Sequence, residues 1–146
     1  MKGLILKISA IVFIAFLGMS GLYAQDTQDL VQQCASKAGD DATYLKDFVV
    51  KLDGAPNGSR SPMYRQSLAL RKNITYRFSL CNKKSSEGEA VLRVYDQANL
   101  ILSTWYPASG KEYNIINFQC KKSGVYTVVI SFKEGKQGEA VGVVLC

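Results

Sequence analysis

Residues 118–146 read FQCKKSGVYTVVISFKEGKQGEAVGVVLC, and this C-terminal stretch decides the fold. It contains two Val-rich runs, residues 125–132 and the run after Gly138, which flank a short charged loop. Val, Ile, Tyr and Phe favour the pleated, half-buried surface of a β-strand. We therefore predict that the chain ends in a β-hairpin with one apolar face. Such a face needs a second sheet to cover it, and the upstream sequence has to supply that sheet.

Upstream, short apolar runs alternate with turn residues at intervals of roughly ten residues, a spacing typical of sandwiches and barrels. In the clearest run, residues 74–80, apolar side chains occupy every second position and polar side chains lie between them. This alternation predicts a strand with one face on a core and the other in water. The other strands predicted upstream are residues 44–52, 63–70, 90–95, 100–104 and 113–120.

The complete set is about eight short strands, without the helical crossovers that a parallel sheet requires. We therefore predict an all-β fold, in which two antiparallel sheets pack face to face as a jelly-roll-like β-sandwich. The sandwich domain is assigned to residues 44–146. The preceding segment, residues 25–43, has apolar residues at helical spacing and is predicted to form a short helix over residues 26–38.

The first 24 residues have the features of a secretory signal peptide. Lys2 and Lys7 precede an apolar run over residues 8–17, and small residues follow up to Ala24. Because the apolar run is too short to span a bilayer comfortably, we predict cleavage after Ala24 and a mature form without a membrane span. The protein is then secreted or periplasmic. The formal net charge of +6 falls to about +4 when Lys2 and Lys7 leave with the signal peptide, and this mild charge, together with export, argues against a nucleic-acid partner.

Four cysteines, an even number in an exported chain, predict two disulfides. Three connectivities are possible, and we favour Cys34–Cys146, which would join the two termini, together with Cys81–Cys120. Cys81 and Cys120 each close a predicted strand. Cys120 is in phase with the inward side chains of its strand and Cys81 is out of phase, so this second bridge would require a bulge.

The chain has no histidine, which excludes Ser-His-Asp and Cys-His catalysis. The carboxylates fall almost entirely in predicted turns or outward positions, so we predict that the protein is not an enzyme. Calcium binding is a further hypothesis, at Asp40-Asp41 or at Asp96 with Asn99, because exported sandwiches hold calcium in loops through oxygen ligands. Neither cluster has the spacing of a known calcium loop, and we expect no cofactor.

Aromatic residues mark one candidate binding site. Trp105 and Tyr106 precede Pro107 in a predicted loop, and Tyr113 follows shortly afterwards. Exposed aromatic rings stack on sugars, so these three side chains are candidates for glycan binding. The alternative is that Trp105 plugs one end of the core.

Basic residues mark a second candidate site. The predicted Cys81–Cys120 bridge would gather two lysine pairs at one end of the domain: Lys83, Lys84, Lys121 and Lys122. Such a patch would attract an anionic surface. The alternative is that the four lysines are solvated independently.

Three blocks in the chain resemble a known family. Residues 76–78, 91–96 and 118–126 resemble, in order, the YxF, LYD and tGxYxxxI blocks of bacterial pre-peptidase C-terminal-type β-sandwich domains. With the YLKDF segment at residues 44–48, the chain is also similar to small exported proteins of Bacteroidetes. The resemblance implies a jelly-roll-like sandwich and a bacterial origin, and it assigns no functional residue.

These observations favour a secreted, non-catalytic β-sandwich that binds a partner at the bacterial cell envelope. One hypothesis is glycan binding through the aromatic residues, with a polysaccharide as the partner. The other is a structural or protein-interaction module of an envelope or secretion complex, which would use the basic patch on an envelope protein.

Overall fold

The computed structural model describes residues 26–57 and 59–146, so the predicted signal peptide, residues 1–24, lies outside the described residues. Helix α1 covers residues 26–37. None of the described residues belongs to a helix long and apolar enough to cross a bilayer. The strands are β1 Tyr44–Leu52, β2 Tyr64–Leu70, β3 Thr75–Asn82, β4 Ala90–Asp96, β5 Asn99–Ser103, β6 Trp105–Tyr106, β7 Lys111–Glu112, β8 Ile115–Gln119, β9 Gly124–Phe132 and β10 Gly138–Leu145.

The eight longer strands form two four-stranded antiparallel sheets. Sheet A has the order β1-β10-β3-β8 and sheet B has the order β2-β9-β4-β5, while β6 and β7 form a separate two-stranded ribbon. Consecutive long strands lie in opposite sheets, with the β4–β5 hairpin as the exception among them. This arrangement is that of a jelly roll, which confirms the predicted sandwich.

The predicted terminal hairpin is wrong. β9 lies in the middle of sheet B and β10 lies in the middle of sheet A, so the two Val-rich runs do not pair with each other. The loop over residues 133–137 carries the chain across the roughly 10 Å between the sheets. Glu134 and Gly135 adopt left-handed backbone angles there, with φ of 61° and 66°. The Val-rich composition of both runs therefore reflects the central position of each strand in its own sheet.

The predicted alternation places the core correctly. Side chains of alternate residues from both sheets meet between them, and Phe48, Phe78, Leu92, Val128 and Ile130 are almost completely buried there. The inward positions of residues 74–80 all join or pack against this cluster. The alternation over residues 74–80 was therefore sufficient to assign the inner face of β3.

The outer face of β3 differs from the prediction, because its second half, Ser79 and Cys81, is buried rather than in water. α1 lies over sheet A, and its apolar side packs on a second, smaller cluster: Cys34, Ala38, Cys81, Val141, Val143 and Leu145. Ser79, on the outer face of β3, is buried and donates a hydrogen bond to the carbonyl oxygen of Cys34 at 3.0 Å. The predicted helix was correct, but the strand face that it covers was not recognised.

Both favoured disulfide pairings are also wrong. The structure joins Cys34 to Cys81 with a Cα–Cα distance of 5.8 Å, and it leaves Cys120 and Cys146 as free thiols. Cys81 faces outward toward α1, whereas Cys120 faces the core between the sheets. The two side chains therefore lie on opposite faces of sheet A, as their opposite phases in the sequence had indicated.

Candidate functional site

The predicted patch of four lysines does not form. Lys83 and Lys84 follow the end of β3, whereas Lys121 and Lys122 lie beside its beginning. The amide of Cys120 donates to the carbonyl of Ile74 at 2.9 Å, which fixes this position. Because a strand rises about 3.3 Å per residue, the two lysine pairs are separated by roughly 25 Å along β3.

In the structure, Lys121 and Lys122 lie instead beside the β2–β3 turn, which was not part of the predicted patch. The β2–β3 turn contains Arg71 and Lys72, and the amide of Lys72 donates to the hydroxyl of Ser123 at 2.7 Å. We call Arg71, Lys72, Lys121 and Lys122 the basic end. All four are exposed, and none of them forms an ion pair with a described residue. Four positive charges therefore face solvent together, without a carboxylate partner in the described part of the chain.

Buried side chains hold the backbone of the basic end in place. The hydroxyl of Tyr76 accepts a hydrogen bond from the amide of Arg71 at 2.8 Å. On the other turn, Tyr126 donates its hydroxyl to the carbonyl of Lys122, and the Cys120 thiol donates to the same oxygen at 3.2 Å. Tyr76, Tyr126 and Cys120 all belong to the core. The turns are thus fixed while their basic side chains remain free, an arrangement that lowers the entropic cost of binding.

The electrostatics of Tyr126 suit this role. Burial, reinforced by its hydrogen bond with Cys120, raises the pKa of Tyr126 to about 12. The phenol therefore keeps its proton at neutral pH and remains a donor to the carbonyl of Lys122.

The opposite end of the sandwich uses its charges differently. We call residues 83–89 and 133–139 the paired end. The Lys133 ammonium donates to Glu89 at 2.8 Å and to Glu112 at 2.9 Å, and these hydrogen bonds raise the pKa of Lys133. Further ion pairs there are Lys83–Glu139, Lys51–Glu139 and Lys136–Glu134. Most basic side chains at this end are neutralised by neighbours within the protein.

Comparison with known proteins supports the fold. No protein-family model and no curated protein sequence matches the chain. Among solved structures, it is similar to PliG of Aeromonas hydrophila, a periplasmic lysozyme inhibitor of g-type lysozyme. The TM-score is 0.51 with 12% sequence identity, and the match covers 74% of this chain and 90% of that chain. At this identity the likeness shows a shared β-sandwich fold, and the resemblance to pre-peptidase C-terminal-type domains stays a prediction.

The aromatic candidates lie together in and beside the β6–β7 ribbon. Trp105 pairs with Glu112 across this ribbon, and the amide of Tyr113 donates to the carbonyl of Thr104 at 2.8 Å. Tyr106 and Tyr113 are 39% and 43% exposed. Trp105 is half-buried, and the Lys133 ammonium lies 4.6 Å from the centroid of its ring. Trp105 is thus neither a fully buried plug nor an open platform, because a cation occupies one face of the indole.

The candidate calcium ligands do not converge in the described residues, which contain no group of three or more acidic or cysteine side chains able to hold a metal. Asp41 is instead bound to Arg77 at 2.7 Å, and this hydrogen bond lowers the pKa of Asp41. Asp96 and Asn99 face each other across the β4–β5 hairpin. Calcium binding at either position stays a prediction.

A groove of about 760 Å³ runs between α1 and the end of β3. Its lining combines acidic residues of α1, such as Asp26 and Asp29, with Lys83 and Lys84. Two of the four lysines predicted for the basic patch therefore lie in a groove of mixed charge, which carries a weaker preference for an anionic partner than the basic end does.

Proposed function

We propose that this chain is an exported, non-catalytic β-sandwich that binds another protein through its basic end. One observation carries the proposal: four basic side chains project from two turns that are braced by the core, and they have no carboxylate partner among the described residues. Charges placed in this way favour association with an acidic surface and increase its rate.

The partner that fits this site is an enzyme with an acidic cleft. PliG, with which the chain shares its fold, is an inhibitor of g-type lysozyme. Glycoside hydrolases use a pair of carboxyl groups at the bond that they cleave. A rigid, positively charged projection complements such a cleft. We therefore propose a glycosidase of the lysozyme type as the partner class, and g-type lysozyme as the first probe.

Export of the protein to the periplasm or the medium is part of the proposal. The Cys34–Cys81 bridge supports it, because disulfides persist in oxidising compartments. The signal-peptide features of residues 1–24 give independent support from the sequence.

The test is titration of the mature chain with g-type lysozyme by calorimetry, at about 50 mM and about 300 mM salt. We expect a defined complex whose affinity falls about tenfold or more at the higher salt concentration, and a parallel loss of lysozyme activity. Failure to detect binding at the lower salt concentration would contradict the proposal. Binding that is insensitive both to salt and to Lys121→Glu would contradict the role of the basic end.

Glycan binding is a second candidate function, favoured by the exposure of Tyr106 and Tyr113 beside Trp105. Its test is Trp105 fluorescence during titration with a panel of polysaccharides. A shift in emission, and weaker retention of Trp105→Ala on the same polysaccharide, would support it. Unchanged emission and unchanged retention would remove it.

A further inference from the structure

The two outer faces of the sandwich are covered to different extents. α1 covers much of the outer face of sheet A. On sheet B, the register places Ala69 opposite Val125, and it places Thr127 and Leu100 on either side of Tyr95. In β2, β4 and β9 the alternate residues form the core, so the named side chains of these strands point away from it. Leu100 joins the same face because the register of β4 with β5 shifts between Val94 and Tyr95.

Part of this outer face is apolar and open to solvent. Val125 is 67% exposed and Leu100 is 47% exposed. We define the bare face as six residues: Ser67, Ala69, Tyr95, Leu100, Val125 and Thr127. Exposed apolar side chains that are contiguous on one face mark interaction sites more often than scattered ones do.

Positive charge predominates around the bare face. Arg65 and Arg93 lie in the next row of the same face, on either side of Val129. The four strands of sheet B contain a single carboxylate, Asp96, at the end of β4. The bare face also continues into the basic end, because only Leu70 separates Ala69 from Arg71 along the chain.

This charge pattern selects the kind of partner. A second copy of the chain would bring two positive surfaces together, which like-charge repulsion opposes. Arginine and tyrosine at the edge of an apolar centre are enriched in protein interfaces, whereas lysine is depleted there. The charged residues of this face are arginines, and its aromatic residue is Tyr95. The composition therefore favours an acidic protein surface over a membrane.

We infer that the bare face is the second half of the partner interface and docks an acidic, partly apolar protein surface next to the cleft that the basic end enters. This inference rests on the proposed function. It predicts an interface that bends from the two basic turns onto the flat sheet, so that charge directs the encounter and apolar contact slows dissociation.

The experiment compares Val125→Asp with Val49→Asp. Val49 is a matched control, because it is 50% exposed on the outer face of β1 in the other sheet. Using g-type lysozyme as the probe, we expect Val125→Asp to weaken binding about tenfold or more, and Val49→Asp to change it less than about twofold. Leu100→Ser is a second bare-face variant, in case Val125→Asp fails to fold.

Each outcome supports or overturns the inference. If the wild type binds lysozyme and both bare-face variants bind it as tightly as the wild type does, the role of the bare face in binding is overturned and the proposed function stands. If the wild type does not bind lysozyme, both are overturned. If Val125→Asp instead loses binding to vesicles of anionic phospholipid while its lysozyme affinity is unchanged, the face belongs to a lipid surface and the inference is overturned.

Discussion

The two ends of the sandwich contain similar numbers of basic residues but use them in different ways. At the paired end, Lys133 bridges Glu89 and Glu112 and lies over a tryptophan ring, so its charge helps to hold loops together. At the basic end, Lys121 and Lys122 make no ion pair with any described residue. The difference indicates that charge is structural at one end and available to a partner at the other.

The largest expected effect comes from removing the disulfide beside the paired end. The double variant Cys34→Ala/Cys81→Ala should lower the free energy of unfolding by about 2–4 kcal/mol, because the bridge restricts the unfolded chain. Urea denaturation measures this change. Affinity for lysozyme should stay within about twofold of wild type, because the Cys34–Cys81 disulfide lies away from the basic end. Cys146→Ser, at an exposed free thiol, is the control and should change neither quantity. Unchanged stability, or a loss of affinity, would contradict the assignment of stability to the paired end and of binding to the basic end.

Reversing charge at the basic end tests the other side of the comparison. Lys121→Glu/Lys122→Glu should weaken lysozyme binding about thirtyfold or more, while the free energy of unfolding changes by less than about 0.5 kcal/mol. The control is Lys84→Glu/Lys111→Glu, which makes the same change in net charge at exposed positions outside the basic end. Calorimetric titration measures the affinities. Equal losses in the two double variants would show that net charge, rather than the basic end, controls binding.

Lys133→Met should have a smaller effect, and it should change stability rather than affinity. It removes the partner of Glu89 and Glu112 and the cation over Trp105, and it should cost about 1 kcal/mol of stability without changing affinity. The Lys133 hydrogen bond lowers the pKa of Glu89, so this stabilisation is present above about pH 4.5, the ordinary value for glutamate. It should disappear as the pH falls through the lowered pKa of the folded state. Urea denaturation at neutral and acidic pH measures it, and a difference between wild type and variant that does not depend on pH would contradict this account.

Tyr126→Phe should lower the free energy of unfolding by about 1 kcal/mol, because it removes one hydrogen bond to the turn at Lys122. The pKa of Tyr126 is raised to about 12. The associated stability is therefore fully present below pH 10 and is lost as the pH rises through about 12. Alkaline unfolding followed by circular dichroism should show a smaller loss for Tyr126→Phe than for wild type. Tyr113→Phe, at an exposed phenol, is the control, and an identical alkaline response of all three proteins would contradict the bracing role.

Much of the fold could be predicted from the sequence because its information is local. Strict alternation over residues 74–80 identified β3 and its inner face, and the turn residues between runs gave the number of longer strands, eight, but not the short strands β6 and β7. Pairing between strands is not local. The two Val-rich runs at the C-terminus read as a hairpin, yet each pairs with strands that are distant in sequence.

The candidate site was predictable only in part. The opposite phases of Cys81 and Cys120 already argued against the bridge on which the lysine patch depended. Lys72 contacts Ser123, the residue after Lys122 and about fifty residues away in the sequence. The registers of β3 with β8 and of β2 with β9 bring the two turns together. In the sequence, RKN at residues 71–73 and KKS at residues 121–123 each have the composition of an ordinary solvated turn, and nothing in either motif indicates the other.

The most direct test of the basic end is amide hydrogen exchange of the chain, measured with and without g-type lysozyme. The account predicts that lysozyme slows exchange at residues 71–74 and 120–125, while residues 83–89 and 133–139 exchange at unchanged rates. Slower exchange confined to residues 83–89 and 133–139, with none at the two basic turns, would contradict it.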